Sequence, residues 1–305
     1  MFFVHVRFCL NIKEGKLKWI DFENPTSVDD AVKLLSSSNG EAKLLAGGTD
    51  LIVQMRAGAL APSLVVDVKS IPELNELSLN GNGLTIGAAV PCYKIYNDSG
   101  VVAHFPGLVD SSSIIGGTQI QGRASLGGNL CNAAPSGDSI PAMIAYGGVA
   151  NITGPNGVRQ VPLEDFCIAP RRTVLSSDEI LISINFPSPE KGSGAHYMRF
   201  IPRNEMDIAV VGVGTSVVLD GDNIKSARVT LASVAPTPIY IESIGDAIAG
   251  KPADESTIAD AGQMAKEAAK PITDMRGTIE YRKHLCDVLT RRSLAKSIER
   301  AKENN

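Results

Sequence analysis

Short apolar runs alternate with glycine-rich turns from Lys18 to Pro187, and the spacing of those runs predicts the elements. Residues 42–46, 64–68 and 84–87 have the length and β-branched or aliphatic content of strands. A helix is predicted to start after Ser27, a good N-cap, with Val28, Ala31, Val32, Leu34 and Leu35 on one apolar face. A second helix is predicted over about 101–115, following Ser99. Residues 187–194 hold two prolines and two glycines, which read as a linker or exposed loop. Beyond it, 208–213 and 227–231 are strongly β-prone, with a hairpin-like Asp220-Gly221-Asp222-Asn223 between them. Helical patterns then run to the end. In the last, Tyr281, Leu285, Val288, Leu289 and Ile298 recur at helical spacing, while Arg291, Arg292, Lys296 and Arg300 face elsewhere. The pattern predicts an α+β protein of two domains.

Composition narrows the function. The 305 residues suffice for two domains with separate cores, and 44% hydrophobic with 20% charged residues is a globular profile. A formal charge of -4 argues against nucleic-acid or anionic-membrane partners, which favour a basic face. No apolar run has the length of a membrane span. The N-terminal run from Met1 to Phe8 is broken by His5 and Arg7 and lacks the regions of a signal peptide, so it reads as a fraying tail or an edge strand. A cytoplasmic location is expected. Cys9, Cys92, Cys131, Cys167 and Cys286 form no Cys-x-x-Cys and none sits beside a histidine at metal-ligand spacing. Mostly buried thiols are expected, and no metal site. Redox capacity, if present, must then come from an organic cofactor or a partner.

Two glycine clusters stand out: Leu45-Ala46-Gly47-Gly48-Thr49-Asp50 and Ala124-Ser125-Leu126-Gly127-Gly128-Asn129. Paired glycines let successive peptide N–H groups converge on an anion with no Cβ in the way, and an adjacent hydroxyl adds a donor. Either cluster alone reads as an ordinary turn; the two together move the balance towards a dinucleotide. The familiar nucleotide motifs fail. Gly212-Val213-Gly214 has Val217 where a Rossmann fingerprint needs its third glycine, and the run continues as a strand. Gly245 to Lys251 has P-loop spacing, but Pro252 replaces the Ser/Thr and the glycines end a helix instead of opening one. His104, His196 and His284 have no serine, cysteine or carboxylate arranged as a nucleophile system and read as surface or capping residues. Arg171-Arg172 is either a phosphate clamp or a solvated pair.

Four ordered motifs carry a resemblance. They are Leu45-Ala46-Gly47-Gly48-Thr49-Asp50-Leu51, the run from Ala124 through Gly127-Gly128-Asn129 to Ser139, Arg172-Thr173-Val174-Leu175 with Asp178-Glu179-Ile180-Leu181, and Arg203-Asn204-Glu205-Met206-Asp207-Ile208-Ala209. Over nearly its full length the chain resembles the FAD-binding medium subunit of the xanthine dehydrogenase family, which includes aerobic carbon monoxide dehydrogenases. The resemblance implies a vanillyl-alcohol-oxidase-type FAD domain over 13–190, in two subdomains split near 70–75. It implies a C-terminal α+β domain over 195–303, with a three-stranded sheet and helices. It implies that Leu44, Leu45, Ala46, Gly47, Gly48, Thr49, Asp50 and Leu51, with Ser125, Leu126, Gly127, Gly128 and Asn129, line the FAD diphosphate. Asp138 and Leu181 are implied to lie toward the adenosine half, Arg199 to approach the flavin, and Ile115 to be a further flavin-side contact. Gln121-Gly122 departs from a common Arg-Asn, Thr118 from a common proline, and Ile208 from the aromatic residue of carbon monoxide dehydrogenases.

No catalytic acid–base residue is implied. The family role is electron transfer within a heterotrimeric molybdenum hydroxylase, whose small [2Fe–2S] subunit and large molybdopterin subunit are separate chains, in a dimer of heterotrimers. Electrons leave to an external acceptor: NAD, a quinone or another. A stand-alone FAD-dependent reductase on the same fold is the alternative. A non-enzymatic nucleotide module would need only one glycine nest.

Overall fold

The structure is a computed structural model that describes residues 6–11 and 17–304, with side chains from Trp19 onward. The expectations for residues 1–5 and for a domain start at 13 lie outside the described residues.

The first unit holds β1 (Val6–Asn11), β2 (Leu17–Glu23), α1 (Val28–Ser37), β3 (Ala42–Leu45), α2 (Leu51–Arg56) and β4 (Leu64–Asp67). Its sheet has the order β1-β2-β4-β3, with β4 parallel to both β2 and β3 and β1 antiparallel at one edge. The Ser27 hydroxyl accepts the Asp30 N–H (3.2 Å), capping α1 as expected, with Asp29 and Asp30 at the positive end of the helix dipole. Ala31 and Leu35 of α1 bury against Val66, Val68, Ile71 and Leu74.

The second unit holds β5 (Leu77–Asn80), β6 (Gly83–Gly87), α3 (Cys92–Asn97), α4 (Ser99–His104), α5 (Pro106–Ser112), α6 (Thr118–Gln121), α7 (Leu126–Asn132) and α8 (Ser139–Ala145). It continues through β7 (Val149–Gly154), β8 (Gly157–Pro162), β9 (Cys167–Ala169), β10 (Arg172–Thr173) and β11 (Ile180–Pro187). Five strands form an antiparallel sheet, β5-β6-β11-β7-β8, packed through Ile86, Ile184 and Phe186 against Phe105, Leu126 and Phe166. The single helix expected over 101–115 is instead α4 and α5. Pro106 has no N–H to continue a helix and drives Phe105 out of helical geometry (φ -130°, ψ 50°), then starts α5 itself. Asp98, not Ser99, caps α4, accepting the Val101 N–H at 2.9 Å.

The third unit is β12 (Ser193–Phe200), β13 (Val211–Asp220), β14 (Asn223–Ala232), β15 (Ile239–Tyr240), α9 (Glu242–Ile248), α10 (Glu255–Ala268) and α11 (Ile279–Glu303). Three long strands form the expected antiparallel sheet, and the two-residue β15 adds a short fourth at the edge. The hairpin turn falls at Gly221-Asp222, with Gly221 at φ 59°. The expected 187–194 linker is shorter. Pro187 still pairs with Gly83, and Gly194 lies inside β12. A Cβ on Gly194 would sit 2.2 Å from the Ser297 carbonyl oxygen, so glycine is what lets α11 lie on the strand. The β-prone 208–210 stays outside β13, because the Asp207 carboxylate takes the N–H groups of Ile208 (2.8 Å) and Arg203 (3.3 Å) and closes a turn.

The other two glycine motifs resolve as packing features. Gly214 is in β13, where a Cβ would approach the Pro141 carbonyl of α8 to 2.4 Å, and Gly250 follows α9 at φ 77°. In α11, Leu285, Leu289 and Ile298 are buried as expected, but Tyr281 is exposed and meets Phe200 edge-on. Arg300 turns inward, contrary to expectation. Of the thiols, Cys92 and Cys286 are buried, and burial pushes both up to about 12, whereas Cys131 is exposed and Cys167 half-buried. No helix among the described residues is long and apolar enough to cross a membrane.

Candidate cofactor cleft

The loop that follows β3 and the loop that enters α7 meet between the first two units. Gly47 lies against the Arg123–Ala124 backbone so closely that a Cβ would be 2.1 Å from the Arg123 carbonyl oxygen, and Arg123 Nε donates to the Gly47 carbonyl at 3.2 Å. Gly48 has φ 77°, a conformation that L side chains rarely adopt, and Leu45 packs beneath it. Gly127 permits a similarly close approach to Ala88, whose carbonyl oxygen would be 2.5 Å from a Cβ. Gln54 Nε2 donates to Asn132 Oδ1 (3.0 Å), tying α2 to α7 below the loops.

These loops border a cavity of about 630 Å³, within the size range of cofactor clefts, roughly 300–1,000 Å³. Among the described residues, no intramolecular hydrogen bond engages the N–H groups of Gly48 and Thr49. Asp50 stands before α2 without capping it, so the first turn of that helix also keeps donors free. On the opposite side the Ser125 hydroxyl accepts the Gly128 N–H (3.0 Å), capping α7, and retains its own proton for donation outward. The far wall is cationic. Arg171, in a left-handed turn (φ 60°) anchored by its N–H to the Ala133 carbonyl at 2.9 Å, and Arg172 both line the cleft, as does Lys43. Burial raises the Asp50 carboxyl pKa, and Arg171 pulls it back. Glu179, also on the wall, is held below the usual carboxylate range by the Arg159 fork, with bonds of 2.7 and 2.7 Å, and by the Ser176 N–H.

Of the residues singled out from the sequence, Leu44, Ala46, Gly47, Gly48, Thr49, Asp50, Leu51, Ile115, Ser125, Gly127, Gly128, Asn129 and Leu181 line this cleft. Leu45 and Leu126 do not: Leu45 supports Gly48 from below, and Leu126 is wholly buried in the core of the second unit. Asp138 and Arg199 stand together off this wall. They form one ion pair, Arg199 Nη1 to Asp138 Oδ2 at 2.5 Å, with the Tyr197 hydroxyl donating to Oδ1 at 2.8 Å. The two are in direct contact, and neither is on the cleft wall. Burial pushes the Asp138 carboxyl up to about 6, against the pull of Arg199 and Tyr197.

Some wall residues were missed or left open by the sequence. Arg171-Arg172 was an open alternative, and its place on the wall follows from the β9–β10 hairpin. Ser176 and Ser177 also line the cleft and carried no local signal. His196 is not a surface or capping residue: it is half-buried between β12 and α11, with Nδ1 3.3 Å from Ser293 Oγ and Nε2 3.8 Å from Asp110. Ser293 is fully buried, bonds Thr215 at 2.8 Å, and is not on the cleft, so this set is a packing network and not a nucleophile system.

Closely apposed glycine loops, free peptide donors, a free hydroxyl proton and two arginines suit a diphosphate and its flanking groups. Residues 16–189 match the family described as the FAD binding domain in molybdopterin dehydrogenase, and residues 196–297 match the CO dehydrogenase flavoprotein C-terminal domain. The xanthine dehydrogenase FAD-binding subunit of Escherichia coli O157:H7 is 31% identical over 282 residues, covering 92% of this chain and 96% of that protein. The carbon monoxide dehydrogenase medium chain of Afipia carboxidovorans is 30% identical over 92% of this chain and 98% of its own length. Among solved structures, carbon monoxide dehydrogenase from Hydrogenophaga pseudoflava, in a form lacking the Mo-pyranopterin moiety of its cofactor, superposes with a TM-score of 0.89 at 28% identity. That match covers 92% of this chain and 98% of that one. Quinoline 2-oxidoreductase from Pseudomonas putida 86 superposes at 0.86 with 26% identity and the same coverage. The chain therefore belongs to the FAD-binding medium subunits of the xanthine dehydrogenase and carbon monoxide dehydrogenase family, and is an oxidoreductase subunit whose cofactor is FAD.

Proposed function

We propose that this chain is the electron-transfer subunit of a heterotrimeric molybdenum hydroxylase, in a dimer of heterotrimers. It receives electrons from the [2Fe–2S] clusters of a small partner subunit, which a large molybdopterin subunit reduces, and passes them to an external acceptor such as NAD or a quinone. The observation that carries this reading is the cleft where the two glycine loops meet, in a chain whose relatives are named as subunits and medium chains. We divide the chain into an FAD-binding domain over 13–190, with subdomains meeting near 70–75, and a second domain over 195–303.

The peptide N–H groups of Gly48 and Thr49 and the Ser125 hydroxyl would hold the diphosphate, with Arg171 and Arg172 offsetting its charge. Gly47 and Gly127 act by bringing the backbones close enough for those donors to converge. Bound FAD supplies redox chemistry that exchanges electrons singly or in pairs. What the protein contributes is binding, orientation and exclusion of water, and no proton transfer by a wall residue is required.

Affinity purification of the chain from its native host, with flavin, iron and molybdenum quantified, tests the assignment. About one FAD per chain, with iron and molybdenum on separate partner chains, is the expected result. FAD without such partners would leave the stand-alone reductase.

A further inference from the structure

Between α10 and α11 the chain presents apolar side chains to solvent from a backbone that is held fixed. Ile272 is 70% and Met275 92% exposed, and Ile279 and Tyr281 are exposed beside them. Asp274 and Gly277 each donate an N–H to the other's carbonyl, at 3.1 and 3.2 Å, closing a tight turn that carries Met275. Asp274 Oδ1 also accepts the Arg276 N–H (2.8 Å) and Arg282 Nη2 (2.7 Å), and the Thr273 hydroxyl accepts the Ile279 N–H (3.1 Å). Arg282 anchors the turn to the third unit. It is buried, and its Nη1 donates to the carbonyls of Val210 (2.7 Å) and Ser233 (3.0 Å), which flank β13 and β14. Scattered exposed apolar residues are ordinary, but a rigid group of them marks an interaction surface. Met, Tyr and Arg are also the residues enriched at such surfaces.

The charge around the turn is opposite in sign to that of the chain. Over 270–283, Lys270, Arg276, Arg282 and Lys283 stand against Asp274 and Glu280 alone, in a chain of formal charge -4. Arg282 is paired with Asp274 (2.7 Å) and Lys283 acts on Glu280, so the surplus rests on Lys270 and Arg276.

We propose that this turn is a docking knob for another chain of the complex, one that offers an apolar recess bordered by carboxylates. Ile272 and Met275 enter the recess, and Lys270 and Arg276 meet its border. The inference rests on the reading of this chain as a subunit, in keeping with relatives named as a subunit and a medium chain. A protruding tip calls for a concave partner, and a second copy joined through the same face would set like charges against each other. Fixing the turn in advance lowers the ordering cost of association.

The test purifies the chain with its partner chains from the native host, comparing wild type with Ile272→Asp, Met275→Asp and Arg276→Glu. Val158→Asp is the control, because Val158 is 73% exposed on β8, in the second unit. Ile272→Asp and Met275→Asp should each retain about tenfold less partner per chain, while the melting temperature of the full chain expressed alone stays at the wild-type value. Arg276→Glu should lower retention at low salt and approach wild type at high salt, where the attraction is screened. Val158→Asp should match wild type throughout. Wild-type retention in both aspartate variants of the turn would overturn the inference. So would an equal loss in Val158→Asp, since any added surface charge would then explain it. A dimer of this chain by light scattering that Met275→Asp dissociates would also overturn it, assigning the surface to a second copy. These three outcomes leave the subunit reading standing, whereas a wild-type chain that purifies without any partner sinks that reading and the inference with it.

Discussion

Gly48 and Gly128 both limit side-chain size and charge in the cleft. Gly48 is in left-handed geometry, and a Cβ on Gly128 would come 2.9 Å from the Ser125 hydroxyl that caps α7. Gly48→Asp and Gly128→Asp each add bulk and a negative charge where a diphosphate is held, and each should reduce flavin content to near zero. Flavin released from the purified variants, measured by absorbance, checks this; normal content in either contradicts the placement of the diphosphate. Glu179 makes a pH-dependent contribution. Its pKa in the folded protein is depressed below the ordinary 4.5, so its stabilising effect is present above that pH and is lost as pH falls through the depressed value. Glu179→Gln should lower the melting temperature at neutral pH and flatten its decline on acidification, as thermal scans across that range would read. The glycine pairs were legible in the sequence because their meaning lies in the residues themselves. The partners of Asp138 and Arg199 were not, since each lies 61 positions from the other.

At the scale of elements, the cap at Ser27, the hairpin turn at Gly221 and the apolar stripe of α11 were legible because each depends on residues within a few positions. The split of α4 from α5 was legible in principle, through Pro106, and the apolar pattern that runs across it masked the break. Gly194 illustrates what local pattern misses. It reads as loop chemistry beside Gly192, yet it is a strand residue made necessary by α11 lying 2.2 Å from its absent Cβ. Gly194→Ala should force α11 off β12 and destabilise the protein by about 1–3 kcal/mol. A lower urea midpoint with an unchanged slope is the expected readout, and an unchanged midpoint would mean that the helix shifts freely.

Across the whole molecule, the second and third units are joined through charged side chains. Asp110 of α5 accepts both ends of the Arg300 guanidinium, at 2.6 and 3.0 Å, and the Tyr197 N–H at 3.2 Å, while Arg300 also donates to the Ala195 carbonyl at 2.7 Å. Arg300→Met would leave a half-buried carboxylate with one donor fewer on each oxygen, a loss of about 1.5–3 kcal/mol for hydrogen bonds to charged groups. Differential scanning calorimetry should show the transition moved down or divided into two as the units uncouple. Flavin content should change little, because neither Arg300 nor Asp110 lines the cleft.

What the sequence determined by itself is whatever adjacent residues can specify. That covers the α+β pattern, the two glycine clusters with the cleft-lining positions they contain, and the motif order that marks the family. Backbone freedom at glycine, helix capping and strand alternation act over a few residues, so they remain visible without the fold. Only the tertiary structure decided that the two glycine loops meet, that Arg171 and Arg172 complete the wall, and that Asp138 and Arg199 are one buried pair behind it. Charged side chains pair with whatever the folded chain brings within hydrogen-bond distance, and burial then makes the choice binding because an unpaired charge there is costly. That choice depends on contacts between residues far apart in the chain.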